Sequence, residues 1–102
     1  MKKLIFLFSL FIAFQAVAQE GIRFRHCSWE EAKAMAKKEK KPIFIDFYTQ
    51  WCGPCLNMAE NIFTLGSVGN FYNDHFVCLK IDAETGEGVE LAKKYEVASF
   101  PT

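Results

Sequence analysis

The chain has 102 residues, no formal net charge, 51% hydrophobic residues, 16% aromatic residues and four cysteines. This length holds one small domain, and the apolar fraction excludes a disordered chain. Balanced charge gives no reason to expect a nucleic-acid partner.

Four of the 11 phenylalanines, Phe6, Phe8, Phe11 and Phe14, fall in the first 14 residues. That segment reads as a secretory signal peptide, residues 1–18. Lys2 and Lys3 form its basic start, Leu4 to Phe14 its apolar run, and Ala16-Val17-Ala18 a small-x-small cleavage site before Gln19. As a helix the run reaches about 16 Å, well short of a hydrocarbon core of about 30 Å. The expectation is a periplasmic or secreted domain over residues 19–102. Outside the cytoplasm no glutathione pool holds thiols reduced, so every cysteine is a candidate for redox chemistry or a disulfide.

Residues 19–27 form a short lead-in with a strand-like alternation, Ile22-Arg23-Phe24-Arg25. Ser28 opens a helix, with Glu31 placed to complete a capping box and Trp29, Ala32 and Ala36 on one face. The lysines at 37, 38, 40 and 41 suit the negative end of that helix, and Pro42 stops it. Ile43 to Tyr48 is an apolar strand with the look of one buried on both faces. A second helix is expected beyond Trp51, with Pro54 in its first turn, Met58, Ile62 and Leu65 on one face, and Gly66 as its end. Residues 67–75 look loop-rich, with Val68, Phe71 and Tyr72 facing inward from a short helical turn. Phe76 to Ile81 is a second strand, 83–88 a turn region and Val89 to Tyr95 a short helix. The order αβαβα implies an α/β sandwich with right-handed crossovers.

Trp51-Cys52-Gly53-Pro54-Cys55 follows the buried strand and opens a helix. Two thiols at this spacing close a small disulfide ring. At the helix N-terminus, Cys52 meets free backbone N–H groups and the positive end of the macrodipole, both of which stabilise a thiolate. Cys55, one turn in, is shielded. An exposed nucleophile and a buried resolving thiol are what disulfide exchange requires.

A C-x-x-C beside a βαβ pattern is itself a recognised mark of thioredoxin-like redox motifs. The resemblance here extends further. Ile45 to Cys55 resembles the active-site stretch of the thioredoxin family, Lys80-Ile81-Asp82 its third strand, and Lys94 to Thr102 its cis-proline loop. The leading helix and Lys41-Pro42-Ile43 are similar to secreted bacterial thioredoxin-like proteins related to the C-terminal domain of the transmembrane thiol-transfer protein. The resemblance implies a thiol–disulfide oxidoreductase that reduces protein disulfides, with Cys52 as nucleophile and Cys55 as resolving thiol. It implies Asp46 as the buried carboxylate that exchanges a proton with Cys55. It also implies that Trp51, Gly53, Pro54, Phe100 and Pro101 bind substrate, with Pro101 cis. Disulfide-containing proteins would be the substrates and a membrane thiol-transfer protein the electron donor; no cofactor or metal is implied.

Three departures stand out. Leu56 replaces a lysine common after the second active-site cysteine. Cys78 falls where many thioredoxins place a lysine facing the buried aspartate, which removes that charge from beside Asp46. The chain stops at Thr102, where the family continues with two antiparallel strands and a final helix, so the resemblance implies a C-terminally truncated domain.

Rival uses of the thiols are weaker. Cys52, Cys55, His75 and Cys78 have spacings compatible with zinc, 19 residues separating the two pairs. However, the alternation of an apolar strand would turn His75 and Cys78 apart. Cys27 and Cys78 read as a stray thiol and a small core residue, with a structural disulfide between them as the alternative. A thiol-binding or partner-docking module without activity is the alternative to an enzyme.

Overall fold

The computed structural model describes residues 20–102. The expected leader, residues 1–18, lies outside them. Helix α1 spans Trp29–Glu39, and both halves of its capping box form: the Ser28 hydroxyl accepts from Glu31 N–H, and the Glu31 carboxylate accepts from Ser28 N–H at 3.2 Å. Lys40, in the left-handed conformation, ends the helix by donating its N–H to the Ala36 carbonyl. Pro42 then leads into strand β1, Ile43–Tyr48. Helix α2 spans Gly53–Asn61 with Pro54 in its first turn. Helix α3 spans Gly66–His75, strand β2 Val77–Asp82 and helix α4 Glu87–Lys94.

Three expectations need correction. Helix α2 stops at Asn61, so Ile62 and Leu65 lie beyond it. Gly66 opens a ten-residue helix where a loop was expected, and the order is αβααβα. Glycine, serine and asparagine weaken this helix locally, and packing supplies what propensity does not. A side chain at Gly69 would lie 2.1 Å from the Glu20 carbonyl oxygen, so its absence lets the chain entering the domain cross α3 in contact with it. Tyr72 packs its ring on Phe44 at 4.8 Å. Phe71, expected to face inward, is instead mostly exposed.

Strands β1 and β2 are parallel, in a register that pairs Phe44 with Cys78, Asp46 with Lys80 and Tyr48 with Asp82. Further backbone pairs flank them. Arg25 forms a single parallel bridge to Leu79, all that remains of the strand-like lead-in, and Phe47 and Thr102 exchange both N–H···O bonds. Alternation along β1 divides the core. One face carries Ile45 and Phe47, which pack with Trp29, Ile81, Leu91, Ala92, Val97 and Phe100. The other carries Phe44, which packs with Phe24, Phe63, Tyr72 and Phe76. The sheet is thus sandwiched between α1 and α4 on one side and α2 and α3 on the other, the arrangement expected for apolar strands of this kind.

Cys27 and Cys78 are both free thiols. The bridge at Arg25 carries Cys27 on in the direction of Ile81, whereas Cys78 lies one residue before Leu79. Cys78 is buried, with its sulfur 3.6 Å from the Tyr72 carbonyl oxygen. Burial pushes its pKa up, partly offset by Arg25 and Lys41.

The docking of α4 onto β2 depends on Gly88, where a Cβ would fall 1.9 Å from the Asp82 carbonyl oxygen. Backbone stands on both sides of that contact, so no side-chain rotation relieves it. Gly88→Ala should therefore destabilise the domain by about 1–3 kcal/mol, seen as a lower denaturant midpoint with an unchanged m-value. An unchanged midpoint would contradict this packing.

Candidate active site

The site forms where β1 ends and α2 begins. After Tyr48 the chain turns through Thr49, Gln50 and Trp51, and the turn closes with Cys52 N–H donating to the Thr49 carbonyl at 3.3 Å. Cys52 is the N-cap of α2, and its sulfur accepts a hydrogen bond from Cys55 N–H at 3.1 Å. The two cysteines are joined by a disulfide, their Cα atoms 5.2 Å apart. Both are buried, at 5% and 6% exposure, so Cys52 is not the exposed member of the pair that was expected. Gly53 leaves open space beside the pair, since a Cβ there would meet nothing within 4 Å. Pro54 lies in the first turn, where its missing N–H costs nothing.

Trp51 is 69% exposed and yet fixed. Its indole N–H donates to a Glu84 carboxylate oxygen at 2.7 Å, and its ring meets Phe100 edge-on at 6.1 Å. Pro101 follows Phe100 through a cis peptide bond. Phe100 in turn packs against the core that holds Phe47. The turn after β2 is braced by Asp82, which accepts from Gln50 Nε2 at 3.0 Å and from Glu84 N–H at 2.9 Å. These bonds hold the Asp82 carboxyl below the ordinary range.

Asp46 lies beneath the turn, on the β1 face that also carries Tyr48, at 5% exposure. Burial raises its pKa, and the positive charge of Lys80 opposes the rise. The loss of charge expected from Cys78 is therefore made good two residues further along β2, because the register sets Lys80 directly opposite Asp46. The Lys80 ammonium lies 5.1 Å from the Tyr48 ring centroid and 5.7 Å from that of Phe24.

Of the residues considered for zinc, Cys52 and Cys55 are bonded to each other. His75 is the last residue of α3, not part of a strand, with its ring stacked on Phe71 at 4.3 Å. Among the described residues, no three His, Cys, Asp or Glu side chains come together to hold a metal ion.

Sequence reasoning assigned no role to Lys80, Glu84 or Thr49. Lys80 carried a usable signal in its position two residues after Cys78, on the same strand face. Glu84 carried none, since its link to Trp51 crosses 33 residues of chain.

The thioredoxin-like family profile matches residues 24–102. The chain belongs to the thioredoxin-like family. Thioredoxin-1 of Drosophila yakuba is 40% identical over 70 residues, which cover 69% of this chain and 61% of that protein. A protein disulfide-isomerase of Schizosaccharomyces pombe is 35% identical over 95 residues, 93% of this chain but 25% of that one. Among solved structures, a candidate disulphide-isomerase from Bacteroides thetaiotaomicron superposes with a TM-score of 0.72 and 46% identity, covering 83% of this chain and 70% of its own. The chain spans about six-tenths of the length of the Drosophila thioredoxin.

The direction of the Asp46 shift gives a stability test. A carboxyl whose folded-state pKa is raised contributes no penalty below its unfolded pKa and destabilises increasingly as pH rises through the folded value. Asp46→Asn should therefore be nearly neutral at pH 3. Above the folded-state pKa it should be stabilising, by about 1 kcal/mol. Urea unfolding from pH 3 to 8 with the disulfide intact would measure it; a difference independent of pH would contradict the assigned burial.

Proposed function

We propose that this domain is a thiol–disulfide oxidoreductase that reduces protein disulfides outside the cytoplasm. The observation that carries the reading is the hydrogen bond from Cys55 N–H to the Cys52 sulfur at a helix N-cap. In the reduced protein, that N–H and the helix dipole stabilise negative charge on Cys52, which makes it the nucleophile of the pair.

The cycle begins with the Cys52 thiolate attacking one sulfur of a substrate disulfide. The substrate's S–S bond breaks, its second sulfur leaves as a thiolate, and a mixed disulfide joins Cys52 to the substrate. Cys55 then loses its proton to Asp46 and attacks the Cys52 sulfur. The Cys52–Cys55 bond forms, the substrate departs with two thiols, and the protein carries the disulfide seen here. Asp46 suits this transfer because burial favours its neutral form while the charge of Lys80 favours the ionised one. Trp51 adjoins Cys52 and meets Phe100 edge-on just before the cis Phe100–Pro101 bond, and Gly53 leaves open space, which supports their reading as the substrate-contacting residues. Re-reduction requires a dithiol donor; a membrane thiol-transfer protein fits an exported domain of this kind.

With reduced protein and a disulfide-bonded protein substrate, Cys52→Ser should lower turnover by at least about 10³-fold. Cys55→Ser should accumulate a mixed disulfide visible by intact mass. Iodoacetamide should alkylate Cys52 before Cys55 at neutral pH. Preferential alkylation of Cys55 would reverse the two roles.

Export is open to a separate measurement. The mature protein recovered from the producing cell should begin at Gln19 by intact mass. A product retaining Met1 would remove the case for a cleaved leader.

A further inference from the structure

Beside the disulfide lies a cavity of about 300 Å³ whose walls include Tyr48, Thr49, Cys52, Leu56, Ala59 and Lys80. Among the described residues, Lys80 is the only charged one that lines it. Its ammonium rests between the Tyr48 and Phe24 rings, where this cavity adjoins a second, of about 260 Å³, that shares Ala59 and Lys80 and continues to Phe24 and Phe63. Among the described residues no carboxylate lies within 4.0 Å of that ammonium. Two acids stand near it. Asp46 is buried beneath, opposite Lys80 in the strand pair, and Asp82, on the same strand face, is already engaged by Gln50 and by Glu84 N–H.

Thr49 lines the cavity at 3% exposure, with its hydroxyl buried and without a hydrogen-bond partner. Lys80 is exposed, so an incoming carboxylate can reach its ammonium. The positive end of α2 points the same way, since it also favours an anion at this end of the helix.

We propose that this cavity is a specificity subsite for a carboxylate: an acidic side chain of the substrate polypeptide, close to its disulfide cysteine, seats against Lys80 while the sulfur meets Cys52. Lys80 and Cys52 line one cavity, so both contacts fall within the reach of neighbouring residues of one peptide. The inference rests on the reductase reading above and adds the class of disulfide selected.

The test uses the reduced protein and three cystine peptides that differ only in the residue next to the cystine: Glu, Gln or Lys. 2,2′-Dithiodipyridine serves as an uncharged reference. In kcat/KM the Glu peptide should exceed the Gln peptide by about three- to tenfold at low salt, with the Lys peptide lowest and the preference shrinking as salt rises. Lys80→Met should abolish the Glu/Gln ratio, Lys80→Arg should retain it and Lys80→Glu should turn it toward the Lys peptide. Because each ratio is taken within one variant, a slower step caused through Asp46 cancels. Equal rates for the three peptides, with the reference still reduced, would overturn the subsite and leave the reductase reading standing. Failure to reduce any of the four would overturn both. A preference for free cystine over its diamide, with the peptides alike, would place the carboxylate on a small disulfide and overturn the acidic side-chain assignment.

Discussion

Where a helix ordinarily receives an oxygen from serine, threonine or aspartate at its N-cap, α2 receives the sulfur of Cys52. The substitution ties chemistry to folding. The Cys55 N–H that points at this sulfur is one of the donors every helix leaves unpaired in its first turn, so the backbone stabilises charge on sulfur without a dedicated side chain. The spacing of the two cysteines follows from the same constraint: an N-cap side chain reaches the N–H three residues on, and that residue is Cys55. Pro54, between them, gives up only an N–H that had no partner inside the helix. The cap must also be held still, and this falls to β1, whose last residues lead through one hydrogen-bonded turn into Cys52.

The two faces of β1 serve the site differently. Phe47, on one face, is packed by Leu91, Ala92 and Phe100, so the same apolar cluster that docks α4 also positions the residue before Pro101. Asp46, on the other face, lies beneath the turn that presents the cysteines. A one-residue slip of β1 would exchange these environments, burying a carboxylate among the α4 contacts and an aromatic ring beside Lys80. Hydrophobic patterning thus fixes where the acid stands relative to the thiols. The exposed rim is joined in another way, by Trp51 to Glu84 and Gln50 to Asp82, bonds that link the β1 turn to the β2 turn across the top of the sheet.

Much of this was legible along the chain, and what was not has identifiable causes. The Ser28–Glu31 box, the strand at Ile43 and the helix opening at Cys52 are written in neighbouring residues and form as expected. Helix α3 was misread because its glycines and asparagines describe a loop locally. It is helical through distant partners, with Glu20 and Gly21 against Gly69 and Phe44 against Tyr72. Gly66 reads locally as the end of one helix but is the start of the next, since a glycine between two helices carries no direction of its own. The charge opposite Asp46 was sought at position 78 by resemblance, whereas strand register, a non-local property, places it at 80.

The Asp46–Lys80 pairing also explains how an acid is tolerated beneath a reactive disulfide. Desolvation alone would drive Asp46 toward a permanently neutral carboxyl, already carrying its proton and slow to release it. A full contact ion pair would do the reverse and hold it ionised, with little tendency to take a proton up. The structure places Lys80 between these limits. Its backbone is paired with Asp46, while its ammonium is drawn outward over the Tyr48 and Phe24 rings instead of being seated on the carboxylate. The charge is felt without a contact that would fix it. The two aromatic rings thereby take part in setting the proton affinity of a residue that neither needs to touch, because they determine where the cation comes to rest.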